Sequence, residues 1–328
     1  MDNRRLGRTN LQVSELCLNT ANFGWINDEA TSLSLLDTYH TCGGKFIQTL
    51  GFCPHSAAAQ VMDTSSEDIV GRWHQSRSIH RDHLILATRL SLFRPVHGGS
   101  IAFANVIREA CEASLRRLRT KHLDLLICEW DEQLLPVADL LEAVDQLIRA
   151  GLVRHVVAGG FPPWRVVDSL HRSGLRNHAR LEAMQGDYSL MTRTRFEAEA
   201  LALCREHRLG FVARSPLAGG FLAQRPASID ELLPDRSWQN ERFGSNLGDA
   251  VRTALAEIAE QRSATPAQIA LAWVLRNPHV TSALVSTASP RELLELNRAL
   301  DVVLTDEDIG MLVNVTTVRD YRMELRNV

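Results

Sequence analysis

"LDLLICEWDEQLLPVADLLEAVDQLIRAGLVRHVVAG", Leu123–Gly159, carries the pattern that decides the fold. Leu123–Glu129 is a nearly continuous apolar run, as expected of a parallel strand buried on both faces. From Val137 to Ala150 the apolar residues recur at the 3.6 period of a helix, and Gly151 stands where a C-cap belongs. Val153–Ala158 is a second apolar run of the same kind. Strand, helix and strand in this order predict parallel strands joined by a helical crossover.

The same unit repeats along the chain. Strands are predicted at Leu16–Thr20, Phe46–Leu50, Leu84–Leu90, Arg180–Met184, Phe211–Arg214 and Thr281–Val285 as well. Helices are predicted at Asp28–Cys42, Ile101–Leu118, Arg195–His207 and Ala250–Gln261, and "SATPAQIALAWVLRN" from Ser263 opens on a Ser/Thr–Pro start signal. Eight strands, each followed by a helix, predict an α/β chain folded as a (β/α)₈ TIM barrel, one domain over residues 1–328. The competing doubly wound sheet lacks its GxGxxG after the first strand. In a barrel, active sites gather at the C-terminal strand ends, the face on which the polar stretch Arg225–Leu247 would also lie.

Composition excludes several function classes. The 328 residues are 45% hydrophobic and 23% charged, with a formal net charge of −3, an ordinary globular profile. No basic run with interleaved aromatics marks a nucleic-acid reader. No apolar stretch approaches the roughly 20 residues of a membrane span. The polar start "MDNRRLGRTN" lacks a signal peptide's apolar core, and Cys17, Cys42, Cys53, Cys111, Cys128 and Cys204 form no CxxC pair. Reduced thiols and a cytoplasmic protein acting on a small molecule are the expectation.

Six motifs, in order and at the right spacing, resemble the aldo-keto reductases. They are "NRRLGRTNLQVSELCL" (Asn3–Leu18), "CGGKFIQTL" (Cys42–Leu50), "SSEDIVGRWH" (Ser65–His74), "SLRRLRTKHLDLL" (Ser114–Leu126), "DQLIRAGLVRHVVAG" (Asp145–Gly159) and "RSPLAGGFLAQR" (Arg214–Arg225). The resemblance implies a barrel that binds NADP(H) in an extended pose and reduces carbonyls. It also implies a tetrad: a tyrosine acid, a lysine that tunes it, an aspartate that orients the lysine, and a histidine completing the oxyanion pocket. At those positions this chain has Cys53, Arg89, Gln48 and Glu129, and its only tyrosines are Tyr39, Tyr188 and Tyr321. Cysteine lacks a phenol's reach and pKa, arginine stays protonated, and an ionised glutamate would repel an oxyanion.

The implied cofactor contacts change in step. The Ser-Asn pair that holds the nicotinamide amide reads Gly159 and Gly160, and the stacking tyrosine reads Arg214. The adenosine clamp reads Ser286, Thr287, Ala288, Glu292 and Leu296. Gln185 and the pyrophosphate loop Ser215, Leu217, Gly219, Gly220 and Leu222 remain as cofactor-binding candidates.

This atypical active site leads to three expectations. The first is an aldo-keto reductase-fold enzyme that has given up NADP(H) and performs cofactor-independent acid–base chemistry (elimination, isomerisation or cyclisation) on a small organic molecule. Glu129 is then the general acid or base, Arg89 the anion anchor, and Gln48 and Cys53 their support, with an Arg89–Glu129 ion pair as the structural alternative. Trp25, His55, Trp130, Asp187 and Arg214 would bind substrate. The second expectation is an atypical NADP(H)-dependent oxidoreductase with a rearranged site, and the third a catalytically silent binding or regulatory protein. Cys53 paired with His55 would be a thiolate nucleophile. The lone C-P-H and Cys128 give too weak a ligand pattern for a metal, and none is expected.

Overall fold

The computed structural model of the protein describes residues 1–51, 65–91, 99–129, 136–223 and 237–324. A short antiparallel hairpin, β1 (Asn3–Arg5) and β2 (Gln12–Ser14), precedes the barrel. Eight parallel strands follow: β3 (Leu16–Asn19), β4 (Phe46–Leu50), β5 (Ile85–Ser91), β6 (Leu123–Glu129), β7 (Val153–Gly159), β8 (Leu181–Asp187), β9 (Gly210–Arg214) and β10 (Ser282–Val285). They pair in chain order, and β10 closes onto β3. This is the predicted (β/α)₈ barrel, with strand ends within three residues of their expected places.

Both faces of the strands are buried, which is why they read as apolar runs rather than alternating ones. The inner set includes Cys17, Phe46, Ala87, Leu125, Ile127, Val157, Ala183, Val212 and Leu284, with Leu6, Leu11 and Val13 of the hairpin region joining it. The outer set, among it Leu86, Leu126, Cys128, Val156 and Met184, packs under the helices. Burying each large side chain contributes about 1.5–3 kcal/mol. The period of two then fixes the site. Inward positions run Phe46, Gln48; Ala87, Arg89; Ile127, Glu129; Val157, Gly159; Ala183, Gln185; and Val212, Arg214, so on these six strands an apolar inward residue is followed by a polar one or a glycine toward the C-terminal end.

The helices follow local chemistry. Asp28 caps Glu29–Thr41 by accepting from the Thr31 amide at 2.8 Å. Thr265 and Gln268 form a reciprocal capping box on Pro266–Arg276. Val137–Arg149 ends where Gly151 adopts a left-handed φ of 71°. The helix predicted over Arg195–His207 begins earlier, at Arg193, and its Phe196–Ala200 turn is π-helical. A shift in hydrogen-bond register leaves no trace in apolar periodicity. Within the Arg225–Leu247 stretch, residues 237–243 form a short helix.

Candidate active site

At the C-terminal strand ends, β6, β7 and β8 place Glu129, Gly159 and Gln185 side by side in register. Asp187 of β8 stands directly opposite Arg214 of β9. Arg214 Nε donates to Asp187 Oδ1 at 2.8 Å, and its NH1 group donates to Glu129 Oε1 at 3.2 Å. Arg89, from β5, donates to the same Glu129 oxygen at 3.2 Å. Arg242, carried by the helix Ser237–Phe243, lies 3.7 Å from Asp187 Oδ2. Guanidiniums and carboxylates therefore alternate around the barrel mouth: Arg89, Glu129, Arg214, Asp187, Arg242.

Glycine at 159 makes the Arg214–Glu129 contact feasible. Those residues are separated by β7 and β8, and Gly159 puts no side chain between them. A Cβ there would meet Ile127 Cγ2 at 3.0 Å and Glu129 Cγ at 3.1 Å.

Gln48 does not turn toward Arg89. Its Oε1 accepts from Gln185 Nε2 at 2.6 Å, so the two buried amides face each other across the barrel. Gln185 Oε1 is buried and has no hydrogen-bond partner. A buried acceptor left unmade costs about 1–3 kcal/mol, and an N–H donor would relieve it. At the end of β10 the hydroxyl of Thr287 is likewise buried without a partner.

After β9 the chain forms the Ser215–Leu222 loop. Ser215, Ala218, Gly219 and Gly220 all have positive φ, 71° and 103° at the two glycines. The loop closes on itself through Ala218 N–H to Ser215 O (2.9 Å) and Gly220 N–H to Leu217 O (3.0 Å), with Leu222 fully buried. Gln239 of the short helix donates to Gly219 O at 2.6 Å. A concave turn of this kind is a ready anion cradle. Ser189, Thr192, Ser215, Gly219 and Arg242 together line a small void beside it. An unpaired amide oxygen at Gln185 and this loop, two separate features, fit the carboxamide and pyrophosphate of a nicotinamide dinucleotide.

Sequence reasoning thus placed Arg89, Glu129, Gln48, Gln185, Asp187 and Arg214 at one mouth, where the structure brings them together. Cys53, His55 and Trp130 lie outside the described residues. Trp25 sits in the turn after β3 with 57% of its surface exposed. Cys128 packs outward into the helix layer, and burial pushes its thiol up to about 12, far from thiolate reactivity. Among the described residues no three His, Cys, Asp or Glu side chains could hold a metal ion. Arg242 and the Gln48–Gln185 pair were not anticipated. The one available signal was their type: amides at inward positions of otherwise apolar strands, and a cation in a polar stretch assigned to the catalytic face.

Comparison with known proteins identifies relatives along nearly the whole chain. The model of the aldo/keto reductase family matches residues 15–316. "Uncharacterized oxidoreductase YrpG" of Bacillus subtilis is 29% identical, across 96% of this chain and 96% of its own length. "Norsolorinic acid reductase stcV" of Emericella nidulans is 26% identical over 91% of this chain and 77% of its own. "Protein tas" of Escherichia coli is 26% identical over 98% of this chain and 99% of its own. These relatives overturn the expectation of cofactor-independent acid–base chemistry. End-to-end similarity to proteins named as an oxidoreductase and a reductase points to redox chemistry, and the expectation of no cofactor loses its support with it. The expectation gave four positions more weight than the similarity that runs along nearly the whole chain.

Proposed function

This chain belongs to the aldo/keto reductase family, and we propose from that premise that it is an atypical NADP(H)-dependent oxidoreductase acting on a small carbonyl compound. The observation that carries the reading is Gln185: a buried amide whose oxygen lacks a donor, set at the mouth between Gly159 of β7 and Val212 of β9. Gln185 would receive the nicotinamide carboxamide. Ser215, Leu217, Gly219, Gly220 and Leu222 would hold the pyrophosphate. When bound, NADPH supplies a hydride to the carbonyl carbon.

In this reading the four tetrad positions are replaced, and the chain's own residues divide the work differently. Arg89 is permanently charged and cannot give up a proton, so it stabilises the oxyanion as negative charge develops. Glu129 accepts from both Arg89 and Arg214 and so positions the two guanidiniums. Gln48, tied to Gln185, orients the cofactor amide rather than the residue at position 89. Water delivers the proton to the alkoxide. Substrate would lie between the strand ends and Asp187, with Cys53, His55, Trp25 and Trp130 as further candidates. One relative is named a norsolorinic acid reductase, which supports reduction of an organic substrate.

A cytoplasmic setting belongs to the same reading, supported by the free thiols at Cys17, Cys42, Cys111, Cys128 and Cys204. Among the described residues no helix is long and apolar enough to cross a membrane. The test is loss of NADPH absorbance on mixing the protein with a panel of aromatic ketones and aldehydes. Consumption that depends on both carbonyl and protein is expected; none with any carbonyl, in either direction of the reaction, would overturn the proposal.

A further inference from the structure

Beside the barrel mouth, a cleft of about 540 Å³ opens between the start of the helix Pro163–Arg176 and the helical stretch Arg193–His207. Its inner rim, with Gln185, Asp187, Arg214 and Arg242, belongs to the site described above. Its volume falls in the roughly 300–1,000 Å³ range of small-molecule sites. Phe161, Met184, Phe196 and Phe211 wall it and are all buried.

This wall is preorganised. Phe196 and Phe211 lie 3.9 Å apart, ring centroid to centroid, and Tyr188 braces Phe196 at 4.8 Å while stacking on Trp273 at 5.4 Å. The π-helical turn Phe196–Ala200 forms part of the lining, and such turns recur at functional sites. Gly160 lines the cleft on the side of the mouth, and a Cβ there would meet nothing within 4 Å. At the inner end two guanidiniums, Arg214 and Arg242, converge on the single carboxylate Asp187. An aromatic-walled slot ending in paired arginines suits a flat apolar body with a carboxylate at one end.

We infer that this cleft binds aromatic carboxylic acids, the ring system against Met184, Phe196 and Phe211 and the carboxylate on Arg214 and Arg242. Its role as the seat of the substrate's far end rests on the reductase reading; its occupancy does not.

Calorimetry of the full-length protein without nucleotide, titrated with naphthoate and with the neutral naphthamide, tests the assignment. Naphthoate should bind at least about tenfold more tightly than the amide, the scale of one charge-assisted contact. Arg242→Ala should erase most of that preference. Ala198→Trp, which fills the cleft from its rim, should weaken both ligands by about tenfold or more while leaving NADPH affinity unchanged. If its unfolding midpoint falls, Glu199→Trp serves as the second filling variant. No naphthoate binding, equal affinity for acid and amide, or unchanged affinity in the folded filling variants would overturn the inference. Naphthoate binding with no NADPH binding would uphold the cleft and remove the reductase reading instead.

Discussion

Two arginine–carboxylate networks meet β5 from opposite sides, one through Thr88 and the other through Arg89. Behind β4 and β5, Glu67 is fully buried, held by Arg117 at 2.6 Å and accepting from Thr88 at 3.1 Å, with Thr49 beside it. At the mouth, Glu129 keeps 19% of its side-chain surface exposed, and its partners Arg89 and Arg214 keep 26% and 31%. The residue types match, but the surroundings do not. A sealed pair whose hydroxyl neighbours complete its bonds is a structural fixture, whereas an open one can exchange partners with a ligand. Enclosure therefore separates the two more sharply than chemistry does.

Glu67→Ala should produce the largest effect, because it removes the fully buried carboxylate that Arg117, Thr88 and Thr49 converge on and leaves the half-buried Arg117 without its ion-pair partner. A loss of about 3–5 kcal/mol in folding stability is expected, read by urea unfolding. Whatever molecules remain folded should bind NADPH normally. A loss below about 1 kcal/mol would place the two networks in one class and break the comparison.

Arg89→Ala should give the reverse pattern. The pair is only partly buried and Arg214 still holds Glu129, so the loss should stay near the roughly 0–1 kcal/mol of a solvent-accessible pair and the unfolding midpoint should move little. Turnover of any carbonyl the wild type reduces should fall about 10²- to 10³-fold, the usual cost of removing one oxyanion donor. Unchanged turnover would reassign Arg89 to the structural class.

Cys128 sharpens the comparison with a pH dependence. Burial raises its thiol to about 12, against an ordinary cysteine near 8.5. A raised pKa means its contribution to stability is complete below the unfolded value and fades as pH climbs from there toward about 12. Between those limits Cys128 should resist iodoacetamide in the native protein and react once urea is added, as mass spectrometry would show. Native labelling at a rate close to the unfolded one would mean that the outer layer near β6 opens.

Much of the fold was legible because each strand is buried on both faces and shows it as an apolar run. The π turn at Phe196–Ala200 was not, since periodicity carries no record of hydrogen-bond register. In the site, Arg89 and Glu129 were readable as a pair because they end adjacent strands. Arg214 to Glu129 and Gln48 to Gln185 were not, because barrel closure brings non-neighbouring strands together across the mouth. Asp187 and Arg214 were recognised as strand-end polar groups, while the helix that brings Arg242 to Asp187 could be read only as a polar stretch. Reading Gln48 as a lost aspartate also concealed its hydrogen bond to Gln185, the residue proposed to receive the carboxamide.

That site gives the decisive measurement: isothermal titration of NADPH into the wild type and into Gln185→Leu. Stoichiometric binding to the wild type, weakened about tenfold in the variant as one hydrogen bond is lost, is the predicted result. No binding of NADPH to the wild type, or equal affinity in the two proteins, would contradict the account.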